Sequence, residues 1–186
     1  MNKKSEPWYV HAALITVILI LTYILIRVAI VDPTKYLNEE KYYKTESHAR
    51  MDDIKQAEIL WEQKHKRFTD NLDSLITFIK TDTSIQQLIH GIDTITNRST
   101  NPFTPLVSVG KFVPESLSHS AKTFRPYILE IDTSTSYDTV VSPRGKLLRV
   151  DTTVVMGTLY FVKDPDGYGT IGDTKNPALK NTSSWD

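Results

Sequence analysis

The chain begins with a long apolar stretch, and its hydrophobic pattern then changes twice. Residues 8–26 contain no charged side chain, and the apolar character continues past Arg27 to residue 31. An α-helix rises about 1.5 Å per residue, so about 20 such residues cross a hydrocarbon core of roughly 30 Å. The pattern therefore predicts one membrane-spanning helix over residues 8–31, after a short cytoplasmic tail of residues 1–7.

This span has the features of an uncleaved signal anchor. It is longer than the apolar region of a secretory signal peptide, which has about 7–15 residues, and no small-x-small cleavage site follows it. A short tail before a long apolar run is the usual form of an anchor that exports the chain after it. We therefore expect a single-pass protein whose C-terminal part is exported. The Lys and Arg residues of the two flanks, counted alone, slightly favour the opposite orientation.

The second pattern is helical and covers residues 34–66. Its first half is polar and rich in tyrosine, whereas its second half repeats apolar residues three and four positions apart, at Met51, Ile54, Ala57, Leu60 and Trp61. We predict a stalk that continues as an amphipathic helix docked on a head domain. A partner helix in a hetero-oligomeric coiled coil is the alternative. Pro33 should stop or bend the helix before this segment, because it lacks an N–H and disfavours a helical Asp32.

The third pattern belongs to the head domain, over residues 67–186. It begins with a short helix over residues 71–80, capped by Thr69 or Asp70, and a further helical turn at residues 85–89. An apolar periodicity of two then predicts strands over residues 106–113, 124–132, 137–141, 146–150 and 153–162. The C-terminal stretch from residue 164 onward is expected to be mostly loop.

These elements predict an α+β fold, in which a long amphipathic helix packs on a small antiparallel sheet. The sequence Ser142-Pro143-Arg144-Gly145 is typical of a type I turn and should close a hairpin. Tyr127, Leu129 and Ile131 alternate along one strand, so they share a face. We expect that face to pack on Ile54, Ala57 and Trp61 of the long helix.

Composition and motifs argue against several functions. The formal net charge is zero, which gives no electrostatic footprint for nucleic acid. The chain has no cysteine, so disulfides, thiol catalysis and Cys-ligated metal sites are excluded. The sequence contains none of the common nucleotide-binding, hydrolase or metalloprotease motifs, and its histidines lie far apart in sequence. We therefore expect a protein that is not an enzyme.

An acidic, glycine-rich segment near the C-terminus is the one candidate metal site. Asp164, Asp166 and Asp173 lie among three glycines, and Ca²⁺ takes several carboxylate and carbonyl oxygens from flexible loops. The spacing is not that of an EF-hand, because Lys175 stands where the bidentate Glu belongs. Two interpretations remain open for this segment: a calcium site formed by the three aspartates, or an ordinary tight turn.

Three residues near the membrane exit are candidates for contacts with a partner. Arg27 lies about one turn before the end of the span, where it either reaches the headgroups or meets a partner's charge inside the membrane. Tyr36 lies just beyond the exit, as in aromatic belts, and Tyr43 follows in the polar half of the stalk. We assign Arg27, Tyr36 and Tyr43 to partner binding.

The layout resembles that of the major pseudopilins of type II secretion. The resemblance rests on the apolar N-terminal helix, on residues 44–82 and on the acidic C-terminal loop that ends in Ser184-Trp185-Asp186. The same segments are similar to membrane-anchored envelope proteins of Gram-negative bacteria. The family processes its subunits at a Gly–aromatic or Gly–Met site with a Glu five residues into the mature helix. Residues 1–9 here contain no Gly and residues 10–26 no Glu, so the chain lacks the prepilin-peptidase site.

What this resemblance implies is an architecture, a location and a class of partner. The location is the bacterial inner membrane with the C-terminal domain in the periplasm. We expect a non-enzymatic structural or scaffold subunit of a multi-protein envelope machine, for secretion, pilus-type assembly or motility, whose partners are other membrane or envelope proteins. The alternatives are a membrane-tethered module that binds a ligand or calcium, and an unprocessed pilin-like filament subunit.

Overall fold

The computed structural model describes residues 7–142 and 147–186 and has an α+β fold. A long N-terminal helix is followed by a small antiparallel sheet of three strands, which confirms the predicted fold class. The chain divides into two compact units, and the boundary falls inside the long helix, after Tyr43. The second unit, Lys44–Asp186, is called the globular unit below. It therefore includes the second half of residues 34–66, for which the sequence predicts an amphipathic helix docked on the head domain.

The first unit is helical over its described length. Helix α1 spans Trp8–Ile26, a π-helical turn spans Arg27–Val31, and helix α2 begins at Asp32 and ends at His65 in the globular unit. The side chains of α1 are exposed, and the hydroxyls of Thr16 and Thr22 donate to carbonyls four residues back. In the described part of the chain, this is the one helix long and apolar enough to cross a membrane.

The helix continues past Pro33, so of the two predicted outcomes the stop is wrong, and the π-helical turn explains why. Asp32 has helical dihedral angles, φ −68° and ψ −45°, and its N–H donates to the carbonyl of Arg27, five residues back. In a regular α-helix the proline ring would clash with the carbonyl four residues back. The wider π turn accommodates the ring. The Thr34 hydroxyl donates to the Ile30 carbonyl, so the helix continues past the proline.

The globular unit contains the remaining elements. They are helices α3, Leu72–Thr81, and α4, Thr83–His90; strands β1, Ile128–Val141, β2, Leu147–Lys163, and β3, Thr170–Gly172; and 3₁₀ turns at Pro114–Ser118 and Pro177–Leu179. Asn71, not Thr69 or Asp70, caps α3, because its side-chain oxygen accepts the N–H of Ser74 at 3.0 Å.

The core lies between α2 and the sheet, as predicted. Met51, Ile54 and Ala57 of α2 are fully buried, and Leu60 and Trp61 pack at the edge of the same cluster. The sheet contributes the predicted face and α3 closes the cluster, through Tyr127, Leu129, Ile131, Tyr160, Val162, Leu75 and Ile79. The hydrophobic stripe of α2 is therefore the central element of the core.

The sheet has the order β1-β2-β3, and both pairs are antiparallel. The strands predicted at 124–132 and 137–141 join into β1, with a bulge between Ile131 and Thr133, and those at 146–150 and 153–162 join into β2. The hairpin pairing is confirmed by Val141 opposite Leu147. Residues 143–145 of the predicted type I turn lie outside the described residues.

One other strand prediction is wrong. Residues 106–113 form a turn and not a strand, because their N–H groups bond to the carbonyl of Leu106 and to the buried carboxylate of Glu46. The C-terminal stretch is mostly loop, as expected, and it also contains β3, which pairs with Phe161–Lys163 at the end of β2.

Candidate functional site

A row of buried polar side chains follows the apolar stripe of α2. Glu46, Ser47, Arg50, Asp53 and Glu58 are all buried, although residues of these types rarely are. Four of them, Glu46, Arg50, Asp53 and Glu58, recur three to five positions apart, and Ser47 is next to Glu46. Their side chains bond to residues outside α2.

Glu46 and Arg50 form a buried ion pair that also binds two loops. Arg50 Nη2 lies 3.2 Å from Glu46 Oε1, and both side chains are at most 10% exposed. The Glu46 carboxylate accepts the N–H of Val107 at 2.8 Å and the hydroxyl of Ser108 at 2.9 Å. Arg50 Nη1 donates to the carbonyl of His119 at 2.8 Å. The pair therefore orders the chain between α4 and β1.

Asp53 and Glu58 are buried carboxyl groups without a cation. Asp53 accepts the N–H of Thr104 at 2.6 Å, and Glu58 accepts that of Thr69 at 3.2 Å. Asp53 Oδ2 and Glu58 Oε1 have no partner among the described residues. Burial, with a smaller effect of neighbouring carboxylates, raises the pKa of Asp53 to about 7 and that of Glu58 to about 8. Because both side chains are fully buried, neither is placed to reach a substrate.

The structure gives Asp164 and Asp166 partners from the protein. Asp164 is buried, accepts the hydroxyl of Ser47, and accepts the N–H of Asp166 at 2.5 Å. Asp166 accepts the hydroxyl of Thr123 at 2.5 Å and pairs with Arg125 at 3.1 Å. Burial alone would raise the pKa of Asp166, but these hydrogen bonds outweigh it and lower the pKa below its usual value.

The third candidate calcium ligand lies in a different turn. Asp173 accepts the N–H of Lys175 at 2.7 Å, an ordinary turn contact. In the part of the chain that the structure describes, no three His, Cys, Asp or Glu side chains are grouped as metal ligands. The arrangement favours the turn interpretation of this segment over the calcium site.

Ser118 and His119 are the closest approach to a nucleophile and a base. Ser118 Oγ lies 2.7 Å from His119 Nδ1, and it also donates to the Glu115 carbonyl at 2.8 Å. The contact of Ser118 with the Glu115 carbonyl lies within one 3₁₀ turn and is an ordinary structural hydrogen bond. Burial and the charge of Arg50 lower the pKa of His119.

The three predicted partner-binding residues lie in the first unit. Arg27 is the first residue of the π-helical turn and is exposed. Tyr36 is 62% exposed, and Tyr43 packs edge-on against Tyr42 with ring centroids 5.4 Å apart. These positions are compatible with contacts to a partner at the exit of a membrane span.

The globular unit contains a two-stranded ribbon, Thr133–Val141 paired with Leu147–Met156. No described side chain of this ribbon belongs to the hydrophobic core. Val150, Val154 and Met156 share one face of β2 and are 47%, 55% and 50% exposed, and their cross-strand partners are Thr139, Thr135 and Thr133. A two-stranded ribbon of this kind is marginal on its own, and exposed apolar side chains along one face favour binding to another surface.

Two open grooves flank the start of α3. The larger, of about 640 Å³, lies between the end of α2 and the starts of α3 and α4. Trp61 and His65 stack there with ring centroids 4.0 Å apart. The ion pair of Lys64 with Asp82 lies along its wall and leaves no net charge between them.

The smaller groove, of about 460 Å³, lies beside the beginning of β1. It is lined by Pro126–Glu130 of the strand, by Ser118 and by the first residues of the α3 region. Three carboxylates line it, those of Asp70, Asp73 and Glu130, and no lysine or arginine does. We call it the acidic groove.

Sequence reasoning missed the ribbon's exposure and the buried polar row. The alternation of residues 147–156 indicates a strand, but it cannot tell whether the apolar face is covered. A signal for the buried row was present at Glu46, Arg50 and Asp53, whose spacing places them beside Met51 and Ile54 on the apolar side of the helix.

Comparisons with known proteins leave the family open. No protein-family model matches the chain, and neither a curated protein nor a solved structure matches it. Its function is therefore argued from its own geometry.

Proposed function

We propose that this protein is a non-enzymatic, single-pass subunit of a bacterial inner membrane whose globular unit lies in the periplasm. It serves there as a structural or scaffold component of a multi-protein envelope machine for secretion, pilus-type assembly or motility. The apolar helix anchors the subunit, and the globular unit binds another envelope protein.

The observation that carries this proposal is the ribbon. Its apolar face is about half exposed at Val150, Val154 and Met156, and it contributes nothing to the core. A soluble domain gains nothing from such a surface unless a partner covers it, because exposed apolar area favours association. Binding of a partner would also support a ribbon that is too narrow to be stable by itself.

The ionisable groups of the globular unit support a non-enzymatic role. Its most perturbed carboxyls, Asp53 and Glu58, are enclosed in the core. An acid–base site needs such groups at an accessible surface.

The test is purification of the tagged full chain from its native membranes in a mild detergent, with native mass measurement. The wild type should be part of a larger assembly. A variant in which residues 136–153 are replaced by Asn-Gly, combined with Val154→Thr and Met156→Thr, should be recovered alone, because it removes all three exposed apolar side chains of the face. Thr135 and residue 154 are direct cross-strand partners, so a two-residue turn can join them. Val109→Ser is the control, since Val109 is also 53% exposed but lies outside the ribbon. A lone wild-type chain, or a shortened chain that keeps its partners, would contradict the proposal.

A further inference from the structure

Strand β1 forms a free edge of the sheet. In the described sheet its one neighbour is β2, so the other side of Ile128–Val141 has no strand. The outer side of β2 is different near the core. There Gly157 accepts the N–H of Phe68 at 2.7 Å, and Phe161–Lys163 pair with β3. The N–H and C=O groups that β1 directs away from β2 are therefore open to another strand.

The edge of β1 lacks most of the features that prevent strands from pairing. Proteins protect edges with Lys, Pro, bulges or short strands. Strand β1 has 14 residues and contains no Lys, Arg or Pro. Asp132 fills the bulge near its start, where it accepts the N–H of Leu159 at 2.6 Å. From Thr133 to Val140 the pairing with β2 is regular, so the edge can accept an extended segment over that length.

The charge beside this edge selects the kind of segment. The acidic groove adjoins Pro126–Glu130, where β1 begins, and contains Asp70, Asp73 and Glu130 without a basic residue. Asp73 and Glu130 are exposed and line a groove with room for side chains.

We propose that β1 and the acidic groove bind an extended, lysine- or arginine-bearing segment of a partner protein, which adds to the sheet as a fourth strand. The backbone bonds to the free edge of β1, and the basic side chains enter the acidic groove, as in other strand-addition complexes. A second copy of this chain is a poor occupant, because its own β1 would bring a second Glu130 toward the same charges. This inference rests on the proposed function, since it names the chemistry of the partner.

The experiment uses the full chain in nonionic detergent and three labelled synthetic peptides, each about nine residues long, the length of a long strand. The first alternates Lys and Val, the second has the same composition except for a central Pro, and the third alternates Glu and Val. Fluorescence anisotropy should show binding of the first alone, because Pro breaks the added strand and Glu is repelled. Raising the salt concentration should weaken binding. Amide exchange should slow along β1.

The variant Asp73→Asn/Glu130→Gln should weaken binding of the Lys–Val peptide about tenfold, which corresponds to the loss of two exposed charge contacts. Asp52→Asn/Asp173→Asn changes two carboxylates of the globular unit that do not line the groove and should leave binding unchanged. Equal binding of the Lys–Val and Glu–Val peptides, no binding at all, or an unaffected groove variant would overturn the inference. If that occurs while the native assembly still requires the ribbon, the proposed function stands and only this partner chemistry is wrong.

Discussion

The indole ring of Trp185 stacks on the imidazole of His48, with ring centroids 3.9 Å apart and ring planes 9° apart. His48 Nε2 lies 2.9 Å from the carbonyl oxygen of Tyr168. Gly169 lies directly against the indole, where a Cβ would come within 2.6 Å of a Trp185 ring carbon. An aromatic contact therefore holds the last residues of the chain on α2. The two rings are far apart in sequence, so the tertiary fold and not a local motif brings them together.

Trp185→Ala should destabilise the globular unit. The half-buried indole loses its stacking and its apolar contacts, which we expect to lower the free energy of unfolding by about 2 kcal/mol. Urea unfolding of the full chain, followed by far-UV circular dichroism, measures the change. Trp8→Ala is the matched control, because Trp8 is 80% exposed and lies in the first unit. Equal effects of the two substitutions would show that the stack contributes nothing.

The stability of the globular unit should fall as the pH rises from about 5 to about 8. The pKa of Glu58 is raised from 4.5 to about 8 in the folded protein, and that of Asp53 from 3.8 to about 7. Between the unfolded and folded values the folded state holds protons that the unfolded chain releases, so the free energy of unfolding decreases with pH. Each group contributes a slope of at most about 1.4 kcal/mol per pH unit.

Glu58→Gln tests this assignment, because the amide cannot titrate. Urea midpoints measured across this pH range should depend less on pH in the variant than in the wild type. The remaining slope combines Asp53 with an opposite contribution from His119, whose pKa is lowered by burial and by Arg50. Glu39→Gln, which changes an exposed carboxylate, should keep the wild-type slope. Stability that rises with pH over this range would contradict the account.

Two Glu–base pairs on α2 have the same spacing and should differ greatly in importance. Glu46–Arg50 is buried, with exposed fractions of 0% and 10%, whereas Lys35–Glu39 is exposed, with fractions of 77% and 57%. Glu46→Ala leaves the buried guanidinium of Arg50 without its counterion and the N–H groups of Val107 and Ser108 without their acceptor, so it should cost about 3–5 kcal/mol. Glu39→Ala should cost less than about 1 kcal/mol. Urea unfolding of both variants measures these costs. A cost for Glu46→Ala as small as that for Glu39→Ala would show that the buried ion pair does not stabilise the globular unit.

The ribbon should be dispensable for folding. Replacement of residues 136–153 by Asn-Gly removes none of the described core side chains, so the free energy of unfolding should change by less than about 1 kcal/mol. Thermal unfolding of the two full chains measures this. A large loss of stability would mean that the ribbon is part of the folding unit and would remove the argument that it exists to bind a partner.

The elements with strong periodicity could be predicted from the sequence. Met51, Ile54 and Ala57 identify the buried face of α2, and the alternation of Tyr127, Leu129 and Ile131 identifies the face that it meets. The exceptions have physical causes. Pro33 lies in a helix because a π-helical turn makes room for its ring. Residues 106–113 do not form a strand, because the N–H groups of Val107 and Ser108 bond to Glu46.

The candidate site was less accessible to sequence reasoning. Asp164 and Asp166 suggested a cation because the carboxylates are close in sequence, but their partners Ser47 and Arg125 are distant along the chain. In the same way, no local pattern shows that Glu130 and Asp73 lie along one groove, since they come from a strand and a helix. Contacts of this kind depend on the tertiary fold.

Site-specific photocrosslinking in native membranes tests most directly the proposal that the ribbon binds another protein of the envelope. A photoreactive amino acid at position 154, where Val154 is 55% exposed, should give a discrete adduct with a second protein. The same group at position 95, where Ile95 is 92% exposed outside the ribbon, should give none. No adduct from position 154, or the same adducts from both positions, would contradict the account.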